Sequence, residues 1–140
     1  MLNLLWILLG GYAVGILLPF CPPRRPEVQS LTASAPAIVA SCAGVVLGFA
    51  SLTSSEPVTG SLASRIPLLT FAIRIDPLAA FFVLTISLAG LAASIYAIGY
   101  MRHFDGRASI PMLGSLFNGF LLSMTLVVLA DNGFFFLMVW

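Results

Sequence analysis

The chain has 140 residues, 60% of them hydrophobic and 8% charged, with a formal net charge of +1 and a mean hydropathy of +1.09. Soluble domains carry about 25% charged residues, so the composition excludes an ordinary water-soluble fold. The near-neutral charge gives no basis for a nucleic-acid partner. Two cysteines do not make a disulfide framework, and the single histidine, His103, has no cysteine or carboxylate cluster to hold a metal.

Four stretches free of Asp, Glu, Lys and Arg set the fold class: 2–20, 33–53, 77–100 and 112–130. Each is near the roughly 20 residues that cross about 30 Å of hydrocarbon as a helix. A helix also satisfies its own backbone groups in lipid. The chain reads as an all-α polytopic membrane protein and a single membrane domain over 1–140. The first stretch reads as a retained helix and not a signal peptide. No Lys or Arg precedes Arg24, and bulky Phe20 stands before Cys21, where lipoprotein cleavage wants a small residue.

Pro22 and Pro23 stop the first helix, and Arg24 with Arg25 makes loop 21–32 the most basic short connection. The second helix follows over 33–53. Gly11 with Gly15, and Gly44 with Gly48, are two GxxxG spacings of the kind that brings helix backbones together. Cys21 ends helix 1 and Cys42 lies well inside helix 2. At 1.5 Å per residue that is about 15 Å of depth, too far for a bridge. Both read as free thiols packed as small apolar groups.

A polar, turn-rich connection leads to residues 68–75, where Leu69, Phe71, Ile73 and Ile75 alternate with Thr70, Ala72, Arg74 and Asp76. This period of two predicts a short extracytoplasmic strand, alone or as half of a hairpin. Asp76 suits the N-cap of the third helix and Pro77 its first position. Arg74 and Asp76 are close enough along the chain to pair, although an exposed pair contributes little. Tyr96 and Tyr100 fall one turn apart near the far end, at headgroup depth. Loop 101–111, which holds His103 and Asp105, reads as a solvated connection. The fourth helix carries Ser115, Asn118, Ser123 and Thr125. Asp131, Asn132 and Gly133 then form a turn, and 133–140 begins a fifth helix too short to cross the bilayer.

Orientation follows the arginines. Loops 21–32 and 101–111 hold Arg24, Arg25, Arg102 and Arg107, against Arg65 and Arg74 in the second connection. The positive-inside bias puts these two loops in the cytoplasm and the N-terminus outside.

Four polar positions are candidates for a role: Asp76, Asn118, Asp131 and Asn132. Asn118 is the most polar side chain inside a span. Such groups can mark ion paths, but a single Asn more often makes one interhelical hydrogen bond of about 1 kcal/mol. Asp131 stands at a helix junction, where capping the following helix outweighs proton handling. No nucleophile–base pair, phosphate loop or metal spacing is present, so the residues give no catalytic, cofactor-binding or metal site.

The stretches "IRIDPLAAFFVLTISLAGLAASIYAIGYMRHFDGR" and "FNGFLLSMTLVVLADNGFFFLMVW" carry a resemblance. The Asp-hydrophobic-Phe-Phe pattern at Asp76–Phe82, the run Ser94–Met101 and the triplet Ala130–Asn132 resemble the antiporter-like proton-channel subunits of complex I and membrane-bound hydrogenases. The text looks most like the hydrogenase-4 component B branch. Residues 1–68 agree with that family only in topology. The resemblance implies about fourteen helices with two inverted five-helix repeats, of which this chain is the N-terminal portion. It also implies a proton path built on a Glu of the fifth helix, a Lys of the seventh, and Lys or His beyond. The Glu would follow Trp140. No Lys occurs anywhere in these 140 residues.

The function implied is therefore a scaffold segment of a proton-translocating subunit in a hydrogenase-4 or formate hydrogenlyase type of oxidoreductase complex. Its partners would be the lipid bilayer and other membrane and peripheral subunits, in a bacterial or archaeal inner membrane. The matching part of a complex I or cation/proton antiporter subunit is the alternative. A small self-contained structural membrane protein is the reading from a different class.

Overall fold

The computed structural model describes residues 1–21, 26–54, 58–62, 71–101 and 109–140. Among the described residues five α-helices follow one another: α1 (Leu2–Leu17), α2 (Pro26–Thr53), α3 (Pro77–Met101), α4 (Ile110–Leu129) and α5 (Gly133–Val139). A two-stranded hairpin, β1 (Val58–Leu62) and β2 (Phe71–Ile75), joins α2 to α3. Helix α1 with the turn that continues it (Leu2–Phe20), and helices α2 to α4, are each long and apolar enough to span a membrane. The chain is an integral membrane protein of the all-α class.

Helix α1 ends earlier than its hydropathy suggests. Pro19 cannot donate to the ladder, and the chain tightens into a 3-10 turn over Leu18–Phe20 closed by Cys21 N–H on the Leu18 carbonyl at 3.1 Å. Helix α2 corrects the expected loop 21–32, because it begins at Pro26 and includes most of that segment. Proline at a helix start costs no hydrogen bond. The Ser30 hydroxyl donates to the Glu27 carbonyl and the Thr32 hydroxyl to that of Val28, folding polar side chains onto the helix backbone. At 28 residues α2 is about 42 Å long, so it projects beyond the hydrocarbon. Glu27, in its first turn, is exposed.

Helix α2 is also the middle of the bundle, packing on α1, α3 and α4. Its sequence permits this because its buried side chains are small: Ala33, Ser34, Ala37, Ala40, Ser41 and Ala43 among them. The glycine spacings mark close crossings. A Cβ on Gly11 would meet Ala40 Cβ at 2.8 Å, and one on Gly48 would lie 3.0 Å from the Ala80 carbonyl oxygen. A Cβ on Gly44 would overlap the Ser87 hydroxyl. Ser41 lies against Gly90, and Gly44 against Ser87, so α2 and α3 run antiparallel with small residues meshing along the seam. In lipid, where apolar surfaces gain little by leaving the solvent, such close van der Waals contact drives helix association.

The hairpin is antiparallel, with Val58 opposite Ile75 and Leu62 opposite Phe71. Strand β2 agrees with the expected strand 68–75 where it is described. Residues 68–70 lie outside the described residues, as do His103, Asp105 and all the arginines except Arg74. The second edge of β2 pairs with the end of α4: Ile73 bridges Ala130, and Asp131 N–H donates to the Ala72 carbonyl at 2.9 Å. Ile75 is buried beneath this joint. The hairpin is thereby tied to the same end of the bundle as the start of α3 and the end of α4.

Cys21 and Cys42 are both free, as expected, but neither is packed: both are exposed. Cys42 is on the outward side of α2, between the buried Ser41 and Ala43. Tyr96 and Tyr100 stack with ring centroids 5.4 Å apart.

Candidate functional site

Two polar regions stand out in an otherwise apolar molecule. The first is interior. Tyr12 of α1 is wholly buried, and its hydroxyl lies 3.0 Å from the Ser41 hydroxyl of α2. The Ser87 hydroxyl of α3 faces the same phenol, without a hydrogen bond of good geometry. Three helices therefore meet on one small cluster of hydroxyls. About one turn away, Asn118 of α4 is also wholly buried. Its amide donates to the Ala33 carbonyl of α2 at 2.9 Å and to the Gly114 carbonyl of its own helix at 2.8 Å. Its amide oxygen packs against Gly15 of α1, where a Cβ would have no room. Asn118 Oδ1, Ser34 Oγ and Ser51 Oγ are buried without a hydrogen-bond partner among the described residues.

This interior holds hydroxyls and one carboxamide. None of its members gains or loses a proton near neutral pH. The four spans carry no Asp, Lys, Arg or His, and no Glu beyond Glu27 at the exposed start of α2. The arrangement therefore links helices. Each interhelical hydrogen bond in such a setting contributes about 0.6–2 kcal/mol.

The second region is the joint between hairpin and helix ends. The Asp76 carboxylate accepts from Ala79 N–H at 2.7 Å and caps α3. At the start of α5 the cap is Asn132, whose side-chain oxygen accepts from Phe135 N–H at 2.6 Å. Asp131, the residue expected there, is exposed and contributes its backbone to the strand joint instead. The reason is positional. The Asp131 amide is already committed to β2, which leaves the next residue to take the extended cap conformation. Arg74 and Asp76 form no ion pair; among the described residues Arg74 has no charged partner. Arg74, Asp76 and Asp131 instead line one cleft of about 290 Å³ together with Phe82, Val128 and Phe136. No group of three or more metal-ligating side chains occurs among the described residues.

The capped start of α3 is also where the chain resembles known proteins. Residues 68–109, which span β2, the Asp76 cap and α3, match the family described as NADH-ubiquinone oxidoreductase (complex I), chain 5 N-terminus. Over this stretch the chain is similar to members of that family. It is 38% identical over 68 residues to hydrogenase-4 component B of Escherichia coli (strain K12). That alignment covers 49% of this chain and 10% of the relative, so the chain spans a small part of the length of the protein it matches. The family match thus falls on the strand-to-helix joint and the third helix, the first of the two stretches that carried the resemblance in the sequence, and does not extend to the second, residues 117–140.

The Tyr12–Ser41–Ser87 cluster was not expected from sequence. Serines are common in membrane helices, and no single one stands out. The available signal was spacing: Ser34 and Ser41, and Ser87 and Ser94, each repeat at seven residues, which keeps them on one helix face.

Proposed function

We propose that the chain is the N-terminal membrane segment of a longer, proton-translocating subunit in a hydrogenase-4 or formate hydrogenlyase type of complex, and serves there as a scaffold. The observation that carries this reading is the match of residues 68–109 to the complex I chain 5 N-terminus, joined to the 38% identity with hydrogenase-4 component B. The scaffold role rests on the interior chemistry. A proton path needs groups that change charge, and the buried polar groups here are hydroxyls and a carboxamide.

In this reading the N-terminus and the hairpin face outward from an inner membrane, and the joins between α1 and α2 and between α3 and α4 face the cytoplasm. The arginine distribution supports that orientation. The ion path belongs to helices beyond this segment, and its driving force to redox partners. Because the matched family is described by complex I, the second reading is the corresponding segment of a complex I or cation/proton antiporter subunit.

Affinity purification of the tagged protein from its native membranes separates the two. Nickel–iron and iron–sulfur hydrogenase subunits should accompany it. Recovery with complex I or antiporter subunits would replace the first reading by the second, and recovery without any redox or antiporter partner would overturn both.

A further inference from the structure

We propose that the cleft where the hairpin meets α3, α4 and α5 binds a phospholipid with a primary-amine headgroup. Its phosphate sits on Arg74, its ammonium on Asp131, and an acyl chain lies along α4. The cleft is amphipathic in the order a lipid requires. Its polar end holds Arg74, Asp76 and Asp131, at the start of α3 and the end of α4, which is headgroup depth. Its other walls are Phe82, Val128 and Phe136.

Charge selects the headgroup. Asp76 spends its carboxylate on the α3 cap, while neither Arg74 nor Asp131 is in an ion pair among the described residues. One guanidinium and one free carboxylate complement a zwitterion, the guanidinium matching a phosphate. Among the described residues, a headgroup with net negative charge would meet two carboxylates and a single cation. A quaternary ammonium could not donate hydrogen bonds to Asp131, whereas a primary ammonium offers three.

The apolar part continues from there. Val127 and Val128 also line a neighbouring cleft of about 420 Å³ between α4 and Trp140. Phe120 and Met124 carry the groove on into a third cleft, of about 290 Å³, between α3 and α4. All three clefts open on one side of α4, because residues 117, 120, 124, 127 and 128 share a face at 100° per residue. From Val128 to Phe117 the groove runs about 16 Å along α4, close to the roughly 15 Å depth of one leaflet's hydrocarbon. Phe120 is 59% exposed and Met124 39%, so no other part of these 140 residues that the structure describes covers this surface.

The test is native mass spectrometry of the full 140-residue chain in mild detergent. The chain is titrated with phosphatidylethanolamine, phosphatidylcholine and phosphatidylglycerol carrying identical acyl chains. The ethanolamine lipid should be retained about tenfold better than either other, the scale of one charge-assisted hydrogen bond. Arg74→Gln should lower retention of all three, and Asp131→Asn should remove the ethanolamine-over-choline preference alone. Equal retention of the three headgroups, or preference for the glycerol lipid, overturns the proposal. So does photocrosslinking from position 124 to a neighbouring protein instead of lipid in native membranes. The headgroup comparison uses the unaltered chain, so it decides the matter even if a variant folds poorly. None of its outcomes depends on which redox complex the chain joins.

Discussion

Replacing Gly11 by alanine tests whether the α1–α2 crossing depends on backbone approach. The added Cβ would lie 2.8 Å from Ala40 Cβ and 3.3 Å from Ala40 Cα. Ordinary carbon contacts are about 3.5–4.0 Å, and Ala40 has no rotamer through which to yield, so the helices must part by about 1 Å. Overpacking of this kind costs about 1–3 kcal/mol. The neighbouring Gly10→Ala is the control, because a Cβ there meets nothing within 4 Å. Both substitutions carry the same helix-propensity gain of up to about 1 kcal/mol, so the difference between them isolates packing. Reversible unfolding in mixed micelles, followed by far-ultraviolet circular dichroism, should place Gly11→Ala below Gly10→Ala by about 1–3 kcal/mol. Equal stabilities, or a more stable Gly11→Ala, would refute the reasoning.

The same titration checks two further expectations. Asn118→Ala removes the donor to the Ala33 carbonyl and should cost about 1–2 kcal/mol; no loss would mean that the carboxamide does not link α4 to α2. Asn132→Ala should cost about 1 kcal/mol as a lost cap, whereas Asp131→Ala should stay within about 0.5 kcal/mol, and the reverse order would restore Asp131 as the capping residue.

Much of the architecture was legible because lipid imposes long uncharged helices, and a run such as 77–100 has no alternative there. The Asp76-Pro77 pair marked the start of α3 to the residue, since capping chemistry is local. The start of α2 was not legible. Glu27, Gln29, Ser30 and Thr32 lower the hydropathy of a helix that extends past the bilayer, and their hydroxyls are satisfied by folding back on the backbone. Strand β1 was hidden as well, for Thr59, Gly60 and Ser61 give no apolar alternation, and its strand state comes from pairing with β2. The Asp131–Asn132 assignment failed at a longer range. Which of two adjacent cap-forming residues caps α5 depends on the Asp131 amide reaching Ala72, nearly sixty positions earlier. For the candidate site, Asn118 was visible as the most polar residue in a span, while its partner is a backbone carbonyl and leaves no trace in side-chain patterns. Arg74 was noted as a strand residue, a loop arginine and a partner for Asp76; its place beside Asp131 follows from the hairpin docking on α4.

The proposed scaffold role requires that this segment pack without conducting protons, its described interior carrying hydroxyls and a carboxamide. Proton flux into liposomes holding the folded 140-residue chain, with an interior pH-sensitive dye and an imposed pH step under valinomycin, measures this directly. The pH step should decay at the rate of protein-free liposomes. A rate that rises with the amount of protein, and falls when Tyr12 or Asn118 is replaced, would contradict it.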